Sequence, residues 1–455
     1  MEEYLNKVLR TIEERWNKYF EEVRNFLKMP SISATGEGIR ETAEFLRDWL
    51  RERIGADATL LNYGGHPIVY GRIRGRSDKT LILYNMYDVQ PVEPLDKWIA
   101  PPFEARVIND VVIARGAVNT KAPLMSMLLG IEAVKDVMGD LPLSLIFVLE
   151  GEEELGSPSM PKFINDKGDE LKGADGALFI IATEDVKGKP QVILGNRGII
   201  YLELRIKTSE YDVHSSLVQF HHNPIEIAAN LIASLKDKDG NIIAPWLYED
   251  VVTPFDYDLQ YLNDLMESAD VHELMRTHGI RELRSDDLRE LYIETYFKPS
   301  INVDGIIGGH VGPGTKTITP AEVVLKLDIR LVPNQDPDKV IKRFMEHLEK
   351  LKLSKWVEVS IHDKYPWSRT HPDSRPAKVA INSYKLLGMR PYVITTIAGS
   401  APAYLFTQRL GIPFVSAGPG FGGRAHAPNE FIEVEGIKQL IKYTATYLMT
   451  YGVSQ

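Results

Sequence analysis

Cysteine is absent from all 455 residues. Disulfides, thiolate nucleophiles and thiolate metal ligands are therefore excluded together, and the absence fits a cytoplasmic protein. No run of 18 apolar residues occurs, so the sequence offers no transmembrane helix and no membrane partner. The opening residues, Met1-Glu2-Glu3-Tyr4, are acidic and helical in pattern, unlike a secretory leader. Positive charge is not in excess either. With 53 Lys and Arg against 63 Asp and Glu, the formal net charge is −10, which argues against a general nucleic-acid binder. Internal repeats and low-complexity tracts are lacking too. What remains is an ordinary globular composition, 44% hydrophobic and 25% charged. The length suits about two to three domains and a large core.

Periodicity divides the chain. Residues 3–28 carry Leu5, Val8, Leu9, Ile12, Trp16 and Phe20 on one helical face, and Pro30 follows. A second amphipathic helix is predicted over 38–53, closed by Gly55. Short strands near 67–73 and 80–84, a helix over 120–137 and apolar strands at 143–149 and 178–182 alternate as in a doubly wound, mostly parallel sheet. The texture changes after Gly195-Asn196-Arg197-Gly198. Residues 199–207 alternate like a half-exposed strand. Helices are predicted at 223–236, 258–268 and 281–293, a glycine-rich loop at 305–314, strands at 322–332 and 356–362, and a helix at 337–352. From about 364 the α/β texture returns, with helices at 375–387, 401–409 and 435–450 and strands at 391–396 and 413–416. The predicted organisation is an α/β catalytic domain, 1–197 plus 364–455, interrupted by an α+β insertion at 198–363.

The chemistry-bearing stretch is 80–90. Its apolar run ends in a polar turn carrying Asp88, and in open α/β sheets function gathers at the carboxyl ends of strands. Asp88 alone could merely cap a turn. The run Glu150-Gly151-Glu152-Glu153-Glu154 could be a solvated acidic patch, but it follows a buried strand and precedes Gly156-Ser157.

Taken together, Tyr87-Asp88-Val89-Gln90-Pro91, Asp96-Lys97-Trp98 with Pro101-Pro102-Phe103, Arg115-Gly116-Ala117 with Lys121, the acidic run, and Asn302-Val303-Asp304-Gly305 form one ordered series. Arg330 to Pro337 and Ala425-His426-Ala427-Pro428-Asn429-Glu430 complete it. The series resembles the zinc-dependent exopeptidase and amidohydrolase family of carnosinase-type dipeptidases, acetylornithine deacetylase and succinyl-diaminopimelate desuccinylase. The resemblance implies a metal-binding α/β domain with an inserted lid and dimerisation domain, usually as a homodimer. It implies two zinc ions about 3.5–4 Å apart that share a hydroxide and a carboxylate. Glu153 would be the general base, Glu154 and His426 metal ligands, and Asp88 a group acting behind a ligand. His214 and Asn302 match lid residues that steady the oxyanion. Arg330, Gly399 and Ser400 match the residues that hold a substrate carboxylate.

Three positions depart from the family pattern. Where the first histidine ligand is expected stands Met86, whose soft thioether suits zinc poorly. The bridging aspartate is replaced by Asn119, a neutral amide and a weak ligand. The later acidic ligand falls in Ile180–Thr183, none of it acidic, with Glu184 and Asp185 as the nearest substitutes. The losses fall on one of the two zinc ions. Several readings stay open: a hydrolase of small peptides or N-acyl amino acids using one divalent metal (Zn, Mn or Co), a metal-free binding protein for the same ligands, or a regulatory subunit pairing with an active paralogue.

Overall fold

The computed structural model describes residues 2–252, 254–268 and 270–453; Met1 of the N-terminal reading lies outside them. The chain forms two compact units. The first comprises Met1–Gly195, Arg369–Thr395 and Pro402–Gln455; the second comprises Asn196–Ser368 with Thr396–Ala401.

In the first unit the described residues form an eight-stranded sheet. Its order is Asp57–Leu61, Ile68–Ile73, Ser144–Glu150, Thr80–Met86, Gly176–Ile180, Phe414–Ala417, Gln191–Ile193 and Tyr392–Ile394. Thr80–Met86 is parallel to both of its neighbours, Ser144–Glu150 and Gly176–Ile180. Phe414–Ala417 continues parallel on Gly176–Ile180, and Tyr392–Ile394 lies parallel to Gln191–Ile193. The remaining three pairings are antiparallel, so the sheet is mixed, with the parallel strands at its centre. Central strands buried on both faces read as continuous apolar runs, which is why 81–84 and 145–149 stood out in the sequence.

Helices cover the sheet. The predicted 3–28 helix is two, Glu2–Glu14 and Trp16–Leu27, separated at Arg15, whose φ of −97° and ψ of 5° leave the helical range. Gly55 ends the helix Ile39–Ile54 with a φ of 69°, the left-handed turn that glycine adopts without steric cost. Lys121–Met138 packs on Val434–Val453. Their backbones approach closely at Gly130, where a β-carbon would stand 2.7 Å from the Ile441 carbonyl oxygen.

In the second unit the described residues form a four-stranded antiparallel sheet in the order Ser300–Ile307, Glu322–Leu331, Gly198–Lys207, Val357–Tyr365. Alternate residues Ile200, Leu202, Leu204, Leu325, Leu327 and Ile329 share a core with Leu231, Phe344 and Leu348 from the helices Pro224–Leu235 and Pro337–Lys350. Two readings need correction. The glycine-rich stretch at 305–314 is strand as far as Ile307, because a bulge between Val303 and Gly305 lets the edge strand continue. The helix predicted at 281–293 instead starts at Leu288, where the Asp287 side chain accepts from the Glu290 N–H, and runs to Phe297.

Candidate active site

The carboxyl ends of the central parallel strands bring the acidic motifs together. Met86 and Glu150 are register partners at the ends of adjacent strands, so the loops that follow, with Asp88 and with Glu152 to Glu154, leave the sheet side by side. Asp88 is buried and joins them. Its Oδ1 accepts from the Glu153 N–H (3.2 Å) and its Oδ2 from the Glu154 N–H (3.0 Å). It thereby caps the short turn Glu153–Leu155 and acts as a positioning residue.

Three of the four residues read as metal ligands or lost ligands meet. The Asn119 Nδ2 lies 2.7 Å from the Glu154 Oε1 and 2.9 Å from the His426 Nε2. The His426 Nε2 is 3.2 Å from the Glu154 Oε2. Gln90, not singled out in the sequence, donates from Nε2 to the same Oε2 at 2.9 Å. The Glu154 side chain is 4% exposed and that of His426 54%, so the cluster opens on its histidine side. A single Nε2 cannot both accept from Asn119 and donate to Glu154. A ring with its proton on Nδ1 serves the first contact, and a ring protonated on Nε2 serves the second. The hydrogen bond to Glu154 raises the His426 pKa.

Met86 does not join them. It is 1% exposed and belongs to the apolar cluster of Tyr84, Phe179, Phe406 and Phe414. Glu184 and Asp185 are engaged by other groups. Glu184 accepts from the Gly420 N–H (3.0 Å) and the Gly188 N–H (2.5 Å), and Asp185 from the Gln191 side chain (3.1 Å). Among the described residues no group of three or more His, Cys, Asp or Glu side chains could hold a metal ion. The side chains gathered here offer a divalent cation a carboxylate, an imidazole and the Asn119 amide oxygen, since an amide's O and N exchange by a flip.

The loops carrying Asn119 and His426 are tied by a buried ion pair. Arg115 Nη1 donates to Glu430 Oε2 at 2.7 Å, with the two side chains 1% and 0% exposed. Glu430 Oε1 accepts from the N–H groups of Val118 (3.0 Å) and Asn119 (2.9 Å). Arg115 also donates to the Pro91 carbonyl at 2.9 Å and lies over the Trp98 ring. Arg424, His426 and Asn429 all have positive φ, a costly conformation for non-glycine residues. Asn429 anchors that turn, donating to the Lys97 carbonyl and accepting from the Ile99 N–H.

Three carboxyls here, those of Asp88, Glu150 and Glu153, are held against ionisation. Burial, and then the neighbouring Glu154, raises Asp88 to about 7 against backbone hydrogen bonds that oppose it. Burial raises Glu150 to about 8. Glu153 is pushed well above the usual carboxyl range by burial and by the charges of Glu154, Asp88 and Glu150. Lys121 is buried with its ammonium donating to the Met29 carbonyl and lying over the Phe26 ring; burial lowers it to about 7. It is a structural anchor.

The other predicted residues belong to the second unit. Arg330 donates from Nε to Asp328 Oδ1 (2.8 Å) and from Nη1 to Ser400 Oγ (2.9 Å), with 31% of its side chain exposed. The carbonyl of Gly399 accepts from the Arg197 N–H. Asn302 is exposed on the edge strand and donates to Asp304 at 2.8 Å. His214 is exposed, its Nδ1 accepting from the Ser216 N–H at 3.2 Å.

The sequence profile of Peptidase family M20/M25/M40 matches residues 82–450. Human Beta-Ala-His dipeptidase is 26% identical over 389 residues, covering 82% of this chain and 76% of that protein. Cys-Gly metallodipeptidase DUG1 of Candida albicans is 28% identical over 484 residues, covering 98% and 97%. Among solved structures, the M20 family metallo-carboxypeptidase Sso-CP2 from Sulfolobus solfataricus has a TM-score of 0.90 and 37% identity, covering 96% of this chain and 99% of that one.

Proposed function

This chain belongs to peptidase family M20/M25/M40, and we propose that it is a peptidase-type hydrolase whose two-metal centre is reduced to a single cation position. Its substrates on this reading are small peptides or N-acyl amino acids with a free carboxylate. The observation that carries the reading is the convergence of Asn119, Glu154 and His426 within 2.7–3.2 Å, without a third acidic or histidine partner among the described residues. The dipeptidase and carboxypeptidase relatives support the substrate class.

Each retained residue has a task. Glu154 and His426, with the Asn119 amide oxygen, would hold the cation, which would supply a water of lowered pKa. Glu153 takes a proton from the attacking water and passes it to the leaving amine. Asp88 fixes both glutamates through their backbone N–H groups. Arg330, already charge-balanced by Asp328 and braced by Ser400, holds the substrate carboxylate, and Asn302 and His214 supply donors to the developing oxyanion. Replacing a carboxylate ligand by an amide and dropping the second cation both weaken the centre, so turnover is slow.

The test is hydrolysis of dipeptides and N-acyl amino acids with added Zn²⁺, Mn²⁺ or Co²⁺. Metal-dependent turnover that falls by about 100-fold or more in Glu153→Gln is expected. Activity untouched by that change, or none with any of the three metals, contradicts hydrolysis. In the second case calorimetry against dipeptides measures the carboxylate binding that remains, in this chain alone or paired with an active paralogue.

A further inference from the structure

The second unit carries a half-open cavity of about 440 Å³, within the usual size range of small-molecule sites. It is lined by Arg197, Lys236, Arg284 and Lys298, with Glu294 the acidic member of the lining and Tyr248 and Leu291 among its apolar faces. None of His214, Asn302, Arg330, Gly399 or Ser400 lines it.

The charges do not balance. Lys298 pairs with Glu290 and, at 3.7 Å, with Glu294. Arg284 donates to Glu294 at 2.9 Å. Two carboxylates thus answer two cations. Lys236 donates to the Ile301 carbonyl. Arg197 donates to the carbonyls of Thr295 and Lys298 and to Ser300 Oγ. Neither meets a carboxylate there; Asp328, which also acts on both, is engaged by Arg330 at 2.8 Å. Arg197 is 3% exposed, and its Nε is buried without a hydrogen-bond partner. A buried donor left unmade and a net excess of two cations both cost free energy that an anion would relieve.

We propose that this cavity is a binding site for a small organic oxyanion, a carboxylate or phosphate on an apolar body, separate from the residues assigned to the substrate. The charged end sits against Arg197, Lys236 and Arg284, and the body against Tyr248 and Leu291. The pKa directions agree with an uncompensated positive site. Lys236 lies below the ordinary lysine value through burial and then the charge of Arg284. Arg197 is lowered to about 10 through burial and then the charge of Arg330.

The experiment titrates the full chain by calorimetry with two probes, sodium benzoate and phenyl phosphate, which separate the carboxylate from the phosphate source. Four proteins are compared: the parent, Lys236→Met, Arg284→Gln and the double variant Arg330→Met with Asp328→Asn, which removes the substrate-side ion pair without changing the net charge beside the cavity. Saturable binding of at least one probe is expected, weakened about tenfold or more in Lys236→Met or Arg284→Gln, as loss of a charged hydrogen bond predicts. The double variant should bind within about twofold of the parent, because neither residue is part of the lining. Absence of saturable binding by both probes overturns the proposal. So does parental affinity in both cavity variants, or a loss in the double variant as large as theirs.

Discussion

Glu430→Ala is expected to destabilise the fold by about 3–5 kcal/mol, the usual consequence of removing one partner from a buried ion pair. Arg115 would keep its charge, 1% exposed, with only carbonyl partners and the Trp98 ring. The N–H groups of Val118 and Asn119 would lose their acceptor at the same time. Chemical denaturation of the variant and parent measures the change. Replacing both members, as in Arg115→Met with Glu430→Leu, removes the stranded charge and should cost less than Glu430→Ala alone. A single variant within about 0.5 kcal/mol of the parent would mean that the pair does not hold these loops. The consequence for function follows from what the loops carry. Asn119 hangs from one, His426 from the other, and losing Glu430 frees both.

Glu150→Gln should flatten the pH dependence of stability. The Glu150 carboxyl accepts from the Tyr84 hydroxyl (2.5 Å) and the Ser157 hydroxyl (2.9 Å) on one oxygen, while Oε2 is buried without a partner. Its pKa rises from 4.5 to about 8 on folding, chiefly by burial. Below pH 4.5 the group is protonated in both states and contributes nothing. Between 4.5 and about 8 the unfolded chain releases a proton that the fold retains, so stability falls as pH rises. Above 8 the full penalty is present, on the order of a few kcal/mol. Asp88, raised to about 7, adds a loss of the same sign ending near that pH. Glutamine keeps the shape and cannot ionise. Melting temperatures from pH 4 to 9 should therefore drop less steeply in Glu150→Gln than in the parent. Parallel curves would refute the assignment.

The distinction between what could and could not be read from the sequence is physical. The central strands were legible because burial on both faces leaves an unbroken apolar run, and the ends of those runs pointed to Asp88 and Glu154. Helix ends were legible where chemistry marks them, as at Gly55. The break at Arg15 was not, because the apolar stripe continues through it. The strand Ser300–Ile307 was hidden by its glycine and its polar edge residues. The series of motifs gave the family, and with it Asn119, Glu154 and His426. Their meeting is a property of the fold. Arg115, Glu430 and Gln90 each lay inside a recognisable motif, yet their tasks were invisible, because each acts through a partner far away in the chain. The ion pair joins residues 315 positions apart. Met86 was legible as a departure from the family pattern; the fold places its side chain in the packed core.

The measurement that bears most directly on the proposed single-cation centre is elemental analysis of the full chain, purified without chelators and then equilibrated with excess Zn²⁺ and desalted. At most one zinc per chain is predicted, falling to none in His426→Ala. Two zinc ions retained per chain would contradict the account.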